Sequence, residues 1–377
     1  MSAGKLVHLV LKAYRHLTVG RGGSVLAIHR FITLFSKHQP YFADFAGKSS
    51  TIRMYTITTR PLEPVEGQQP LTDYMLANTD TGEWATVLPA FGGMLRQLVL
   101  RQGENRYKVV DTANSAQALM ADETYASALL YPFPSRIFQG VYRFDGEAYA
   151  LPLNETLRSN ALHGFVQDKP FRVVQEEANA HHAQLSVRYD YPGDVPGYPF
   201  QFSLTATYTL TDHGLDFSFA ALNTGLSRSP AAFGWHPYFT LNNADADDLE
   251  LTLPVATEIH LDQHMIPNGQ QPATSAHRGP QLLTGVSFDT PFIVDKGLVN
   301  AQNMVETVMR WPAEGVSLVV EQGESLPYLV IYTPGRRDSI AIEPLTANVD
   351  SFNNGEGLTV LEPGESLTGQ IRVSLRG

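Results

Sequence analysis

Residues 200–222, FQFSLTATYTLTDHGLDFSFAAL, decide the fold class. Phe200, Phe202, Leu204, Ala206, Tyr208 and Leu210 alternate with polar residues. Asp212-His213-Gly214 then turns the chain, and Leu215, Phe217, Phe219 and Ala221 lead it back. An apolar period of two places one face of an antiparallel pair on a core and leaves the other to water. Upstream, Asp73–Gly82 carries a turn signal. Trp84–Gly93 then reads as a strand ending in a Gly-rich bend, and Met94–Leu100 resumes it. Downstream, strands read at Leu249–Leu253, Ser317–Val320, Tyr328–Tyr332, Ile340–Ile342 and Gly369–Leu375. Beyond residue 54 no 3.6-residue apolar stripe lasts three turns, which predicts an all-β protein, a large antiparallel β-sandwich.

Composition narrows the function classes. The 377 residues are 43% hydrophobic, with no run approaching the roughly 18 apolar residues of a membrane span. Cysteine is absent, so disulfides, thiolate metal sites and cysteine nucleophiles are excluded. A net charge of −11 argues against nucleic acid and anionic membranes as partners. That charge is uneven. Residues 1–53 hold eight Lys or Arg and the single acid Asp44, which leaves 27 − 8 = 19 basic and 38 − 1 = 37 acidic residues, net −18, for the remainder. The break predicts a basic, poorly ordered N-terminal extension over 1–53, with a targeting presequence as the alternative. Residues 54–377 form one catalytic domain in this reading, with no internal repeat, low-complexity linker or phosphate loop.

The chemistry starts from Phe233-Gly234-Trp235-His236-Pro237-Tyr238-Phe239. Pro237 pushes His236 into an extended conformation, and the flanking aromatics can wall a dry pocket. Imidazole titrates nearest neutrality and is the commonest proton carrier in catalysis, although a core histidine in an aromatic cluster fits this heptapeptide equally well. Asn160-Ala161-Leu162-His163-Gly164-Phe165 sets a second histidine against a glycine, where a turn histidine is the plain alternative. Ser339-Ile340-Ala341-Ile342-Glu343-Pro344 ends an apolar run on a carboxylate, which burial would turn into a stronger base. Arg136 stands in the proline-rich stretch Tyr131–Ile137 as a fork for hydroxyls or one half of a structural ion pair. Asp289, between aromatics in Ser287–Phe292, reads in isolation as an Asx turn. His181-His182 lacks metal-ligand spacing and reads as loop.

In order, Ser135-Arg136-Ile137, Leu162-His163-Gly164, His236-Pro237-Tyr238-Phe239, Asp289-Thr290-Pro291-Phe292 and Glu343-Pro344-Leu345-Thr346 with Phe352-Asn353 resemble the aldose 1-epimerase (mutarotase) family, as does Leu361-Glu362-Pro363-Gly364-Glu365 near the end. The resemblance covers nearly everything after Met54. It implies the galactose mutarotase-like supersandwich with the site in a cleft on a concave face. His236 matches the family's general acid, Glu343 its general base, and Arg136, His163 and Asp289 its sugar-binding groups. Ser135 stands where asparagine is usual, Phe165 where many members have a second glycine, and Thr240 where asparagine often follows; these departures bear on sugar preference. The implied protein is a cytoplasmic monomer or homodimer acting on a small sugar without cofactor or metal, and without nucleic acid or membrane partners. Alternatives are a non-catalytic carbohydrate-binding protein on the same fold, a hexose-phosphate 1-epimerase and a glycosidase.

Interconverting anomers of a free aldohexose requires removing a proton from the anomeric hydroxyl while the ring oxygen gains one, then reversing this after rotation about C1–C2. Glu343 and His236 would make both transfers, each worth roughly 10²–10⁴ in rate. Both oxygens hang on one carbon, and each must come within about 2.6–3.2 Å of its proton partner, so the two groups' nearest polar atoms are expected roughly 4–8 Å apart.

Overall fold

The computed structural model of the chain describes residues 55–68 and 70–377. The expectation for 1–53 therefore lies outside the described residues.

The hairpin at the centre of the sequence pairs Phe202–Thr211 with Gly214–Asn223. Thr211 faces Gly214, and Asp212-His213 form a two-residue turn. Its apolar positions face inward, as the alternation requires. The pair lies inside a nine-stranded sheet ordered Arg172–Ala178, Ala183–Tyr191, Phe202–Thr211, Gly214–Asn223, Ser366–Arg376, Val316–Gly323, Met304–Trp311, Glu250–Thr252 and Gln281–Leu282. His181 and His182 sit in the turn between its first two strands, hydrogen-bonded through their amides to Asn179 Oδ1. A second sheet of 13 strands runs Tyr55–Pro61, Thr72–Asn78, Trp84–Leu88, Met94–Gln102, Asn105–Asp111, Tyr238–Phe239, Ile340–Leu345, Tyr328–Tyr332, Asp289–Val294, Val255–Leu261 and Pro267–Pro272. Ala128–Leu130 and Gly234–His236 pair beside this path. Among the described residues the helices are a turn or so long, Ala116–Met120 being one, capped at Ser115 whose Oγ accepts from the Ala118 amide at 3.2 Å.

The two sheets meet over a continuous aromatic core. Phe219 of the hairpin stacks on Phe233 with centroids 3.6 Å apart, and Phe217 stacks on Trp235 at 4.9 Å. Tyr208 crosses from the smaller sheet to donate its hydroxyl to the Gly93 carbonyl at 2.8 Å. Each such ring, fully buried, contributes about 1.5–3 kcal/mol through removal of apolar area from water. The sandwich expected from the period-two pattern is thus the fold, and the resemblance to the supersandwich holds. Among the described residues no helix is long and apolar enough to cross a membrane.

One stretch differs from its sequence reading. Asp73–Gly82, read as a turn, is strand through Asn78 and turns only afterwards, where the Asp80 and Thr81 amides donate to Asn78 Oδ1. The pattern was hidden because an inward position is an ion pair. Asp73 is buried and receives Arg96 Nε at 2.9 Å and Nη2 at 2.6 Å. A carboxylate can occupy the interior only with such a partner.

Candidate active site

Strand register alone gathers the candidate residues. Ile340 and Ile342, Leu329 and Ile331, and Phe292 all point into the sandwich core. Their neighbours in sequence point to the opposite face. Glu343 pairs with Val330, and Val330 with Pro291, forming one row across that face. Ala341 pairs with Tyr238 and with Tyr332, and Tyr332 with Asp289, forming the next row. Gly234 pairs with Leu345 and Tyr238 with Ala341, so His236 falls opposite Glu343. His236 Nε2 lies 3.4 Å from Glu343 Oε1, and both side chains are almost wholly buried. The imidazole stacks on Tyr238 with centroids 5.2 Å apart.

Loops bring the remaining groups over this face. Tyr131–Gly164 pairing and the short ladder of Arg136–Phe138 with Asn160–Leu162 tie two of them together. Gly164 has φ +67°, and a Cβ there would lie 2.1 Å from the Tyr131 carbonyl oxygen, so only glycine lets the segments close. His163 before it also has positive φ, 62°. Its amide donates to the Ser135 carbonyl at 2.8 Å, and its Nδ1 accepts from the Ser135 amide at 3.1 Å. That bond leaves Nε2 to carry the proton of the neutral ring. The His163 and His236 rings meet edge to face at 5.3 Å, and Tyr125 covers His163 at 4.7 Å. Ser135 itself has φ +54°, a backbone setting in which asparagine is commoner than serine.

Arg136 does not stand free as a hydroxyl fork. Glu155 takes its Nε at 3.0 Å and its Nη2 at 3.0 Å, while also accepting Arg158 Nη1 at 3.0 Å and Asn160 Nδ2 at 2.9 Å. Nη1 is the guanidinium nitrogen that this clamp leaves over. Neither Glu155 nor the covering Tyr125 is marked by spacing in the sequence. Their roles follow from loop packing, which local patterns do not encode.

Burial sets the protonation of the face. It pushes the Glu343 carboxyl well above the usual carboxylate range, helped by the charge of Asp289 and opposed by Arg136. It pulls His236 down to about 4. His163 is lowered too, by burial first and then by His236 and Arg136. Asp289 opens to solvent at the first position of its strand, yet the protein around its carboxyl raises it, with Arg136 and Arg158 drawing it back. The charged forms of Glu343 and His236 are both disfavoured by burial, which biases the pair towards a proton on the carboxyl.

All five residues expected at the site thus face one region through contact, register or mutual electrostatics. Three details differ from expectation. Asp289 begins a strand instead of an Asx turn. Arg136 is clamped by Glu155. The 3.4 Å between His236 and Glu343 is shorter than the 4–8 Å expected, because directly opposed cross-strand positions hold their Cβ atoms only about 4.5–5.5 Å apart.

A large antiparallel sandwich of this kind is the galactose mutarotase-like fold. A galactose mutarotase-like protein from Clostridium acetobutylicum superposes with TM-score 0.75 at 18% identity, covering 85% of this chain and 99% of that one. Galactose 1-epimerase from Lactobacillus acidophilus superposes with TM-score 0.70 at 19% identity, over 85% and 99% of the two chains. By sequence, the chain is 27% identical to the Escherichia coli protein YihR over 241 residues, 63% of this chain and 75% of that protein. It is 28% identical to rat galactose mutarotase over 197 residues, 51% of this chain and 54% of the enzyme. The sequence model of the aldose 1-epimerase family matches residues 76–374. The chain belongs to the aldose 1-epimerase family.

Proposed function

We propose that the protein interconverts the α and β anomers of a free aldohexose, with Glu343 and His236 moving the protons. The observation that carries this reading is their direct opposition at 3.4 Å in a buried setting. Two proton carriers side by side can meet the two oxygens that share the anomeric carbon, O1 on one and the ring oxygen on the other. The pair starts with one proton between two sites. Hydrogen bonds from the sugar's hydroxyls stabilise the carboxylate form of Glu343, so the proton resides on His236. Glu343 then takes the O1 proton as His236 protonates the ring oxygen, and the ring opens. Rotation about C1–C2 and the reverse transfers close it on the other carbonyl face. Proton count and net charge of the pair are unchanged over a turnover, so no cofactor needs to be regenerated.

The other groups would hold the sugar. His163, with Nδ1 tied to Ser135, presents an Nε2–H donor, Asp289 presents an acceptor at the solvent side, and Arg136 keeps Nη1. Glu155 takes up one of the two positive charges of Arg136 and Arg158, which weakens the field that a phosphate-bearing substrate would need, since phosphate recognition relies on uncompensated cations. Polarimetry of freshly dissolved α-glucose and α-galactose tests the proposal. Catalysed decay to the equilibrium rotation is expected for at least one of them, and unchanged spontaneous rates for every free aldohexose would refute it.

A further inference from the structure

His236 and Glu343 meet across a gap in the strand ladder. Gly234–His236 and Tyr238–Phe239 both run along Ile340–Leu345, and the pairs they make with it are Gly234 to Leu345, Tyr238 to Ala341 and Phe239 to Ile340. Pro237, between the two short strands, has no N–H to give, and its carbonyl takes the Ile342 amide at a long 3.3 Å. The His236 carbonyl turns to the other side and accepts the Ser127 amide at 2.9 Å. The spacing of the pair is therefore set by what fixes the strands on either side of the gap.

On the Tyr238 side two successive pairs do this. On the Gly234 side a single pair is followed by a clasp built with a side chain. The Thr346 amide donates to the Phe233 carbonyl at 2.9 Å, and Thr346 Oγ1 accepts the Phe233 amide at 2.8 Å. Thr346 lies three residues after Glu343 and Phe233 three residues before His236, so the clasp is equally far from the contact along both strands. Both residues are buried, and a slide of one strand past the other would leave the Phe233 amide unpartnered in a dry interior. Gly234 lets the strands close beside the clasp, since a Cβ there would lie 2.5 Å from Leu345 Cδ2 and 2.8 Å from Pro134 Cβ.

We propose that Thr346 is a positioning residue, whose hydroxyl holds the Phe233 amide and so fixes the register that keeps the His236 imidazole against the Glu343 carboxyl. It acts on the pair through three residues of strand on each side. A slip of one residue would send the two side chains to opposite faces, and a displacement of about 1 Å at reacting groups can cost about 100-fold in rate. The consequence for catalysis rests on the function proposed above. The positioning does not, and the two have separate readouts.

Thr346→Val keeps the shape and removes the hydroxyl, whereas Thr346→Ser keeps the hydroxyl. Tyr208→Phe, which deletes the buried bond to the Gly93 carbonyl, is the control for a general loss of stability. With freshly dissolved α-glucose and α-galactose, Thr346→Val is expected to lower kcat about 10- to 100-fold at unchanged KM. Thr346→Ser should restore kcat, and Tyr208→Phe should leave it alone. NMR titration of the His236 imidazole reads the positioning without reference to activity. The wild-type ring should ionise at about 4, the valine variant should move towards 6.5 as water reaches the ring, and the serine variant should keep the wild-type value. Hydrogen exchange of the Phe233 amide in the wild type decides the matter if the valine variant does not fold. Exchange as slow as that of the Trp235 amide is expected, and exchange as fast as at an open strand end would overturn the proposal. It is overturned equally if folded Thr346→Val keeps the wild-type kcat and titration, if Thr346→Ser does not restore them, or if Tyr208→Phe loses as much kcat. A shifted titration in a protein that catalyses no anomerisation would uphold the positioning and reject the epimerase reading.

Discussion

Arg136 and Glu155 are locked side by side, the carboxylate gripping Nε and Nη2 of the guanidinium at 3.0 Å each. Arg158 shares the same carboxylate. One carboxylate outside the sequence motifs therefore offsets one of the two positive charges of Arg136 and Arg158. Glu155→Gln removes this offset. Glucose 6-phosphate and glucuronate are then expected to bind about fivefold more tightly, from roughly 1 kcal/mol of released charge pairing, while glucose binds no better. Parallel titrations of wild type and variant check this, and unchanged anion affinity would contradict it.

The Gly164 position makes a prediction about folding and site geometry together. Alanine there meets the Tyr131 carbonyl at 2.1 Å and must also hold φ +67°. Gly164→Ala is expected to cost about 1–3 kcal/mol for the backbone strain, with more from the clash, and to displace His163. Urea unfolding reads the first effect. A rise in KM at retained fold reads the second, and a variant as stable and as active as wild type would count against the close approach.

The single proton on the His236–Glu343 pair predicts the pH profile. If the singly protonated pair is the working form, kcat/KM falls on the acid side only as His236 titrates, near pH 4 rather than near 6.5. On the alkaline side it falls as Glu343 loses its proton, well above the ordinary carboxylate range. An acid limb centred at 6–7 would mean that the imidazole titrates as if in water.

Stability should carry the same signature. In the unfolded chain His236 and Glu343 titrate at the ordinary values of 6.5 and 4.5. Between these values folded and unfolded pairs each hold one proton, so the pair adds no slope. Above 6.5 the unfolded chain has lost both protons, while the folded pair keeps one for as long as the raised Glu343 carboxyl stays protonated. The folded state then binds more protons, and stability declines as pH rises, by up to about 1.4 kcal/mol per unit until Glu343 ionises. Glu343→Gln removes this decline, so the variant should gain on wild type as pH rises above 6.5 in urea titrations. Parallel stability curves would show that Glu343 is not held protonated by the fold.

Much of this arrangement was legible in the sequence. The alternation over 200–222 marked a sandwich strand pair because each apolar side chain there meets a core, Phe217 and Phe219 stacking on Trp235 and Phe233. Tyr328–Tyr332 was read with the bounds it has, since both its faces obey the period. Thr72–Asn78 was not, because an inward position is the charged Asp73 and its partner Arg96 lies 23 residues on. His236 and Glu343 were legible as odd polar groups in apolar runs. Their nearness was expected from the resemblance, whereas the 3.4 Å contact depends on a cross-strand register over more than 100 residues. Glu155 escaped for the same reason: its meaning is entirely in the arginines it meets.

The central claim is that Glu343 and His236 are the proton carriers, and anomerisation kinetics of the wild type beside His236→Asn and Glu343→Gln test it most directly. Each substitution keeps the approximate shape and removes one proton carrier. Followed by NMR on freshly dissolved α-sugar, wild type should speed equilibration, and each variant should lose about 10²–10⁴ of that rate while still binding sugar. Undiminished rates in either variant, with the fold intact, would contradict the account.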